Sequence, residues 1–409
     1  MYQAAQRAVA AHPLSRFEEP LRIALFSGNY NYVRDGANQA LNRLVEYLER
    51  QGASVRVYSP TSDQPAFAPQ GTLVSVPSVA LPGRGEYRLG LGLPPSIRRD
   101  IRSFRPHLVH VSAPDWTGSA AQRLARTLGV PIVASLHTRF EKYADFYGAR
   151  FLRPTLERHL SRFYARSDRV LVPTRAIARE FVEAGLADKI GLWSRGVDRT
   201  LFDPVRRSNS WRLRNGIAKD RVALMFFGRL VREKGLAEFA EVCDRLAAAG
   251  TRIQPVVVGE GPARTWFERR LPSARFTGHL MDEPLGEAVA SADIFFNPST
   301  TEAFGNVTLE AMAAGVPTVG VDVPSGSALL GQGAGLLYPA GDLDAAIAAI
   351  ARLAASLDLR ARMRVRAREA SAAYDWDSAS HQVWETYLEL LGGAESRDGA
   401  PRIAPAPGM

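Results

Sequence analysis

The chain has 409 residues, more than one hydrophobic core usually serves, and its 46% hydrophobic and 23% charged residues are the balance of an ordinary folded protein. No run of about 18 apolar residues occurs, which excludes an α-helical membrane span at the level of sequence. The single cysteine, Cys243, excludes an internal disulfide. The net charge of +9 is lopsided: residues 1–200 carry 28 Lys/Arg against 17 Asp/Glu, and residues 201–409 carry 23 against 25.

In chain order, an N-terminal arm (1–20) lacks the continuous apolar core of a secretion signal, which with the lone thiol predicts a cytoplasmic protein. Strands are predicted at Arg22–Ser27, Ser54–Ser59, Leu108–Ser112, Pro131–Leu136 and Arg169–Val172, with helical spacing between them at Ala37–Gln51 and Ser119–Leu128. The loop SGNYNYVRDGAN sets Gly36 just before the first helix, and LHT sets His137 at the end of its strand. From Arg139 to Arg169 arginines alternate with Phe, Tyr and Leu. That pattern is compatible with an anionic membrane surface, with phosphates or with a solvated helix face, and no nucleic-acid motif accompanies it. A polar linker follows, with Arg195 at its start. Strands resume at Val222–Phe227, Ile253–Val258, Arg275–Thr277, Asp293–Asn297 and Thr318–Val321.

This alternation predicts an α/β fold of two doubly wound, Rossmann-like domains, residues 21–200 and 201–375. They are expected to face across a cleft at the carboxyl ends of their strands. A helical stretch is predicted at 376–391, and a Gly/Ala/Pro-rich tail at 392–409 is predicted disordered.

The stretch STTEAFGNVTLEAMAAGVPTVG, Ser299 to Gly320, places Glu302 in a strand-to-helix loop. It predicts a helix from Asn306, read as its cap, stopping at Gly315. Gly305 lets a ligand approach the helix's unpaired N–H groups, a setting suited to phosphate. Carboxylates beside a phosphate repel it, so Glu302 and Glu310 read as acceptors for hydroxyls on either side of a diphosphate. Arg229 and Lys234 in GRLVREKG, Gly259-Glu260-Gly261-Pro262, and Gly278-His279-Leu280 all follow strands of the same half.

GRLVREKG, VGEGP, GHL and EAFGNVTLE together resemble the retaining glycosyltransferases of the two-domain GT-B type, within them family GT4. HTRFEKYADFYG, SDRVLVPT and WSRGVD resemble the subgroup of bacterial lipid α-mannosyltransferases and sulfolipid synthase. The resemblance spans about residues 20–391. Its last stretch, DWDSASHQVWETY, resembles the family's closing helix, for which the resemblance implies Trp376 and Trp384 as packing anchors. It implies that Arg229 and Lys234 grip the donor diphosphate, that Glu302 with Ala303, Phe304, Gly305 and Asn306 holds the sugar, and that Glu310 holds the ribose. Gly259, Glu260, Gly261, His279 and Leu280 would flank the base, and Gly36 would close on the phosphate. His137 would bond the transferred sugar, and Arg195 would face the phosphates or the acceptor. It further implies transfer of a hexose from GDP-mannose or a UDP-sugar, by front-face substitution with retention, to a hydroxyl of a lipid or glycan. The enzyme would be peripheral on the inner membrane face and would bind no nucleic acid. Asp342–Asp344 and Asp375–Asp377 precede helices and read as caps, so neither a metal nor another cofactor is expected. The competing reading is a catalytically vestigial membrane- or partner-binding protein on the same fold.

Overall fold

A computed structural model describes residues 19–81, 84–143, 146 and 150–395. Residues 1–18 of the N-terminal arm, residues 396–409 of the tail and residues 144–145 and 147–149 of the arginine–aromatic stretch lie outside the described residues. The chain divides into two compact units: the described parts of Met1–Ser135, Arg162–Val170 and Ser380–Met409, and those of Leu136–Ser161 and Leu171–Ala379. Segments far apart in sequence share a core, so the division is discontinuous rather than a single boundary near residue 200.

The first sheet begins with β1 (Arg22–Phe26), α1 (Gly36–Arg50), β2 (Ser54–Ser59) and β3 (Thr72–Ser75). A two-stranded antiparallel hairpin follows, β4 (Ser78–Leu81) and β5 (Arg84–Gly90). Next come α2 (Pro95–Phe104), β6 (Leu108–Val111), α3 (Trp116–Leu128), β7 (Ile132–Ser135), α4 (Phe140–Tyr143), α5 (Arg153–Ala165), β8 (Arg169–Val172), α6 (Arg175–Phe181) and β9 (Ile190–Leu192). The strand order is β3-β2-β1-β6-β7-β8-β9, parallel from β3 to β7. Burial of β6 and β7 on both faces explains why they read as short, mostly apolar runs, broken only by His110 in β6 and closed by Ser135 in β7. The Asp35 side chain accepts from the Asn38 N–H and so starts α1, and Asp115 does the same for α3 through Gly118 N–H.

The second sheet is built from α7 (Asn209–Arg214), β10 (Val222–Phe227), α8 (Leu236–Ala248), β11 (Ile253–Val258), α9 (Arg264–Arg270), β12 (Arg275–Gly278), α10 (Asp282–Ala290), β13 (Ile294–Asn297), α11 (Asn306–Ala313), β14 (Thr318–Val321), α12 (Pro324–Leu330) and β15 (Leu336–Tyr338). Helices α13 (Leu343–Ala355), α14 (Leu357–Ser371) and α15 (Trp376–Glu395) complete the chain. The order is β12-β11-β10-β13-β14-β15, with every neighbouring pair parallel.

Successive residues of β10 point to opposite faces. Met225 and Phe227 join Phe295, Leu309 and Met312 in one core, while Leu224 and Phe226 join Phe239, Leu246 and Ile350 in the other. The polar linker supplies Arg207 and Arg212, which pair with Asp293 at 2.6 and 2.9 Å, and the same carboxylate accepts from Ala223 N–H. Burial alone would raise the Asp293 pKa; the charge of Arg207, the Ala223 N–H and Arg212 together hold it below its ordinary value.

Near the C-terminus α15 fixes itself by polar bonds at its apolar face. His381 meets the Tyr47 hydroxyl at 2.9 Å, and the Tyr387 hydroxyl meets His110 Nδ1 at 2.5 Å, with Ser135 Oγ on the other ring nitrogen. Burial pushes the His110 pKa down to about 3, so this ring is neutral. Trp384 is buried, and Trp376 lies over Gly196, where a Cβ would meet its backbone nitrogen at 2.3 Å. Asp375 caps α15 through Ser378 N–H, and Asp342 caps α13 through Ala345 N–H. The helix runs through Gly392 and Gly393 to Glu395, past the end expected at Leu391. Among the described residues no helix is long and apolar enough to cross a membrane.

Candidate active site

Three strand-end loops of the second sheet are sewn together by their backbones. Gly228 N–H donates to Val258 O, Leu230 N–H to Glu260 O, Ala263 N–H to Leu230 O, and Gly259 N–H to Gly278 O. This contact demands glycine. Gly259 sits at φ 141° and a Cβ there would stand 1.9 Å from Gly228 O, while one on Gly261 would stand 2.4 Å from Leu230 O. Arg229 therefore leaves β10 at a fixed point, with its neighbour Gly228 facing Val307 in the first turn of α11. Glu260 and His279 are exposed beside this seam, with the Glu260 carboxylate paired to Arg264; Leu280 packs against the apolar core below.

The loop from Arg229 continues through a short 3₁₀ turn, Arg232–Lys234, to Gly235 in the left-handed region. Gly235 packs on Pro298, and the hydroxyls of Ser299 and Thr301 donate to Glu233 O at 3.4 and 3.2 Å. This clamp brings Lys234 to Glu302, 68 residues away in sequence, with Nζ 2.6 Å from Oε1. Ala303 and Phe304 are buried, the Phe304 ring edge-on to Tyr374 at 5.7 Å.

Gly305, not Asn306, occupies the N-cap of α11, at φ 99° and with no side-chain cap bond; Asn306 is the first helical residue. The left-handed turn needed after Phe304 excludes a side chain at the cap position. The helix ends at Ala313, short of Gly315 at φ 66°. Beside this N-terminus lies a small recess lined in part by Asn297, Ser299, Glu302, Gly305 and Ser325. Asn297, Ser299 and Ser325 escaped the sequence reading. Asn297 closes β13, and Ser325 lies in the first turn of α12, so the strand-end rule applied to both loops would have found them.

Glu310, one turn into α11, has its carboxyl pushed up to about 7, first by burial and then by the Glu302 charge. A folded-state pKa above the ordinary 4.5 means the folded protein binds this proton more tightly than the unfolded chain. The stabilisation is fully present below pH 4.5 and is lost as pH rises towards 7. Glu310→Gln removes that dependence. Its stability relative to the parent protein should rise by about 2–3 kcal/mol between pH 5 and pH 8. Urea unfolding of both proteins at the two pH values measures this, and a constant difference would contradict it.

His137 and Arg195 form a pair of their own. Arg195 is buried at 3% exposure; its Nη1 donates to Trp193 O and Ser194 O, and its Nη2 donates to His137 Nδ1 at 3.0 Å. Its guanidinium lies over the Trp193 ring at 4.9 Å, and His137 stands edge-on to the same ring at 5.0 Å. Burial pulls the Arg195 pKa down to about 9, which leaves it a cation at neutral pH. The expected exposure of Arg195 to a ligand is thus replaced by bonds to protein acceptors, and Trp193 is a site residue the sequence reading did not select. Gly36 belongs to the first unit, where it opens α1 next to the Asp35 carboxylate that caps the helix. The structure accordingly groups Lys234, Glu302, Gly305, Asn306 and Glu310 around one helix N-terminus, brings the backbone of Arg229 to it through Gly228, joins Gly259, Gly261 and Gly278 to its flank, and sets His137 with Arg195. Among the described residues no group of three or more His, Cys, Asp or Glu side chains is gathered as a metal site requires.

Two Rossmann-like units carrying a cationic strand-end loop and an uncapped helix N-terminus define a glycosyltransferase of the GT-B type. Sucrose-phosphate synthase from Thermosynechococcus elongatus has the same fold, with a TM-score of 0.73 at 19% identity over 91% of this chain and all of that one. So does Anabaena HepE, solved in complex with UDP and glucose, with a TM-score of 0.70 at 18% identity over 90% of this chain and all of that one. Residues 34–201 match the model of Glycosyltransferase Family 4, and residues 221–356 match that of Glycosyl transferases group 1. A GDP-mannose-dependent alpha-mannosyltransferase of Mycolicibacterium smegmatis is 31% identical over 91% of this chain and 98% of its own. The sulfoquinovosyl transferase SQD2 of Arabidopsis thaliana is 30% identical over 89% of this chain and 73% of its own. The chain belongs to glycosyltransferase family 4, and it is a hexosyltransferase.

Proposed function

We propose that this enzyme moves a hexosyl group from a nucleotide-sugar, GDP-mannose or a UDP-sugar, to a hydroxyl of a lipid or glycan, with retention at the anomeric carbon. The observation that carries this reading is the Lys234–Glu302 pair at the N-terminus of α11. A diphosphate needs fixed positive charge, and a sugar needs carboxylate acceptors for its hydroxyls. Lys234, Arg229 and the free N–H groups of the helix supply the first; Glu302 and Glu310 supply the second. As the sugar–phosphate bond breaks, negative charge gathers on the departing diphosphate, and preorganised cations and N–H groups stabilise it. The front-face course assigns deprotonation of the acceptor hydroxyl to that departing phosphate. With two side-chain cations in this role, we propose that no metal or other cofactor is required and that activity persists in a chelator.

The choice of mannose and of a lipid acceptor draws on the relatives, which include GDP-mannose-dependent and phosphatidyl-myo-inositol mannosyltransferases. A cytoplasmic enzyme peripheral on the inner membrane face fits the exposed Phe151 and Leu152 among the arginines of residues 139–169. The test is one screen: nucleotide-sugars with a lipid extract presented on anionic liposomes, in a chelator, with product stereochemistry read by NMR. Transfer from GDP-mannose or a UDP-sugar with α-product, and pelleting that weakens with salt, is expected. An inverted product, or binding to no nucleotide diphosphate by calorimetry, would refute the reading; the latter would restore the vestigial alternative.

A further inference from the structure

The end of β13 opposite the Lys234–Glu302 pair carries a second concentration of positive charge. The Asp293 carboxylate, just ahead of that strand, is already spent on Arg207 at 2.6 Å, Arg212 at 2.9 Å and the Ala223 N–H. Helix α14 lies against the same corner. A Cβ on Gly315 would stand 2.9 Å from Pro204 Cγ and 3.8 Å from Arg364 O, and Arg368 pairs with Asp203 at 2.6 Å. Arg360, Arg364 and Arg368 recur at intervals of four, so one face of the helix carries all three. Arg360 donates to the Leu353 and Ala354 carbonyls at the end of α13. Arg364, half-buried between them, bonds no acceptor among the described residues.

Burial first, and then the Arg207 charge, pull the Arg364 pKa below the ordinary arginine value; Asp293 opposes them and Arg360 adds to them. The Arg360 pKa is lowered too, with burial leading and the charges of Arg207 and Arg212 outweighed by nothing but the same Asp293. Arginine stays protonated even so. Four guanidinium groups therefore share the field of one carboxylate that two of them already hold. Like charges in a half-buried setting repel until an anion offsets them. The planar fork of arginine suits an oxyanion, and a surplus of this size favours a dianion over a carboxylate. We infer that Arg364, in the field of Arg360 and Arg207, binds a phosphate group, inorganic or as a phosphomonoester, at a site separate from the active site. Arg364 supplies the hydrogen-bond donors, and its two neighbours supply charge.

The test compares the full-length parent protein with Arg364→Met, which keeps the apolar stem and removes the charge. Inorganic phosphate, titrated at constant ionic strength, should raise the urea midpoint of the parent more than that of the variant; phosphate bound anywhere else raises both alike. The apparent phosphate affinity read from this dependence should be about 10-fold or more weaker in Arg364→Met. Arg364→Lys keeps the charge and loses the fork, so its affinity should lie between the two, and it repeats the comparison if Arg364→Met does not fold. A second arm separates a lipid-borne phosphate from a soluble one, by co-flotation with vesicles containing phosphatidate against phosphatidylglycerol vesicles of equal surface charge. A preference of the parent for phosphatidate that Arg364→Met loses, with no differential effect of inorganic phosphate, assigns the site to a lipid headgroup. A differential effect of inorganic phosphate without that preference assigns it to a soluble phosphate. If phosphate moves both midpoints equally and both proteins treat the two vesicles alike, the proposal is overturned.

Discussion

Replacing Arg229 with alanine is expected to lower turnover by about 10²–10³, equivalent to about 2.7–4 kcal/mol of lost transition-state stabilisation. The reason is positional. Arg229 is the second residue beyond β10, and the Gly228–Gly259 seam and the 3₁₀ turn to Lys234 allow its backbone little freedom. In the proposed function a cation at this strand end acts on the departing diphosphate mostly in the transition state, so kcat should carry the loss and the donor KM should change only a few-fold. Arg229→Lys keeps the charge and loses the two-pronged donor geometry, so it should lie between the parent protein and the alanine variant. Lys234→Ala should behave differently. It leaves Glu302 without its 2.6 Å partner beside the protonatable Glu310, so both donor affinity and turnover should fall. Steady-state kinetics on folded variants decides this, and an Arg229→Ala enzyme with parental kcat would remove the residue from the mechanism.

Much of the architecture could be read from the chain because parallel strands buried on both faces write themselves as continuous apolar runs. The bounds of β2, β8, β10, β11 and β14 are those expected, and β1, β6, β7, β12 and β13 differ by a residue or two at their ends. Strands β3, β4, β5, β9 and β15 were not anticipated. The β4 side chains are mostly exposed, which leaves no alternation to detect, and β9 and β15 have three residues each. Within the site, spacing identified Gly305, Glu302 and Glu310 but not what they touch. The Lys234–Glu302 pair joins loops after different strands and depends on Pro298 seating against Gly235, a long-range event with no local signature. Asn306 illustrates the opposite limit: a good capping residue in composition, it is displaced by a glycine whose left-handed φ the chain path requires. Arg195 likewise carries the charge expected of a phosphate ligand, and only the folded chain shows its burial and its bonds to the Trp193 and Ser194 carbonyls.

The glycine seam permits the sharpest separation of backbone effects. Gly259→Ala should destabilise the protein by at least about 3 kcal/mol and weaken donor binding with it. Two costs combine. An alanine at φ 141° is strained wherever it occurs, and here its methyl would meet Gly228 O at 1.9 Å, a backbone atom that cannot rotate away. Relief requires β10's exit to shift, and that exit carries Arg229. Gly250→Ala isolates the first cost: its φ of 77° is also left-handed, yet nothing lies within 4 Å of the added methyl, so about 1–2 kcal/mol is expected with no effect on nucleotide binding. Urea midpoints for both variants, together with calorimetric titration of the nucleotide diphosphate, test the difference. Equal destabilisation, or a Gly259→Ala protein that binds the nucleotide as the parent does, would mean that the two loops can part without disturbing the cationic end of β10.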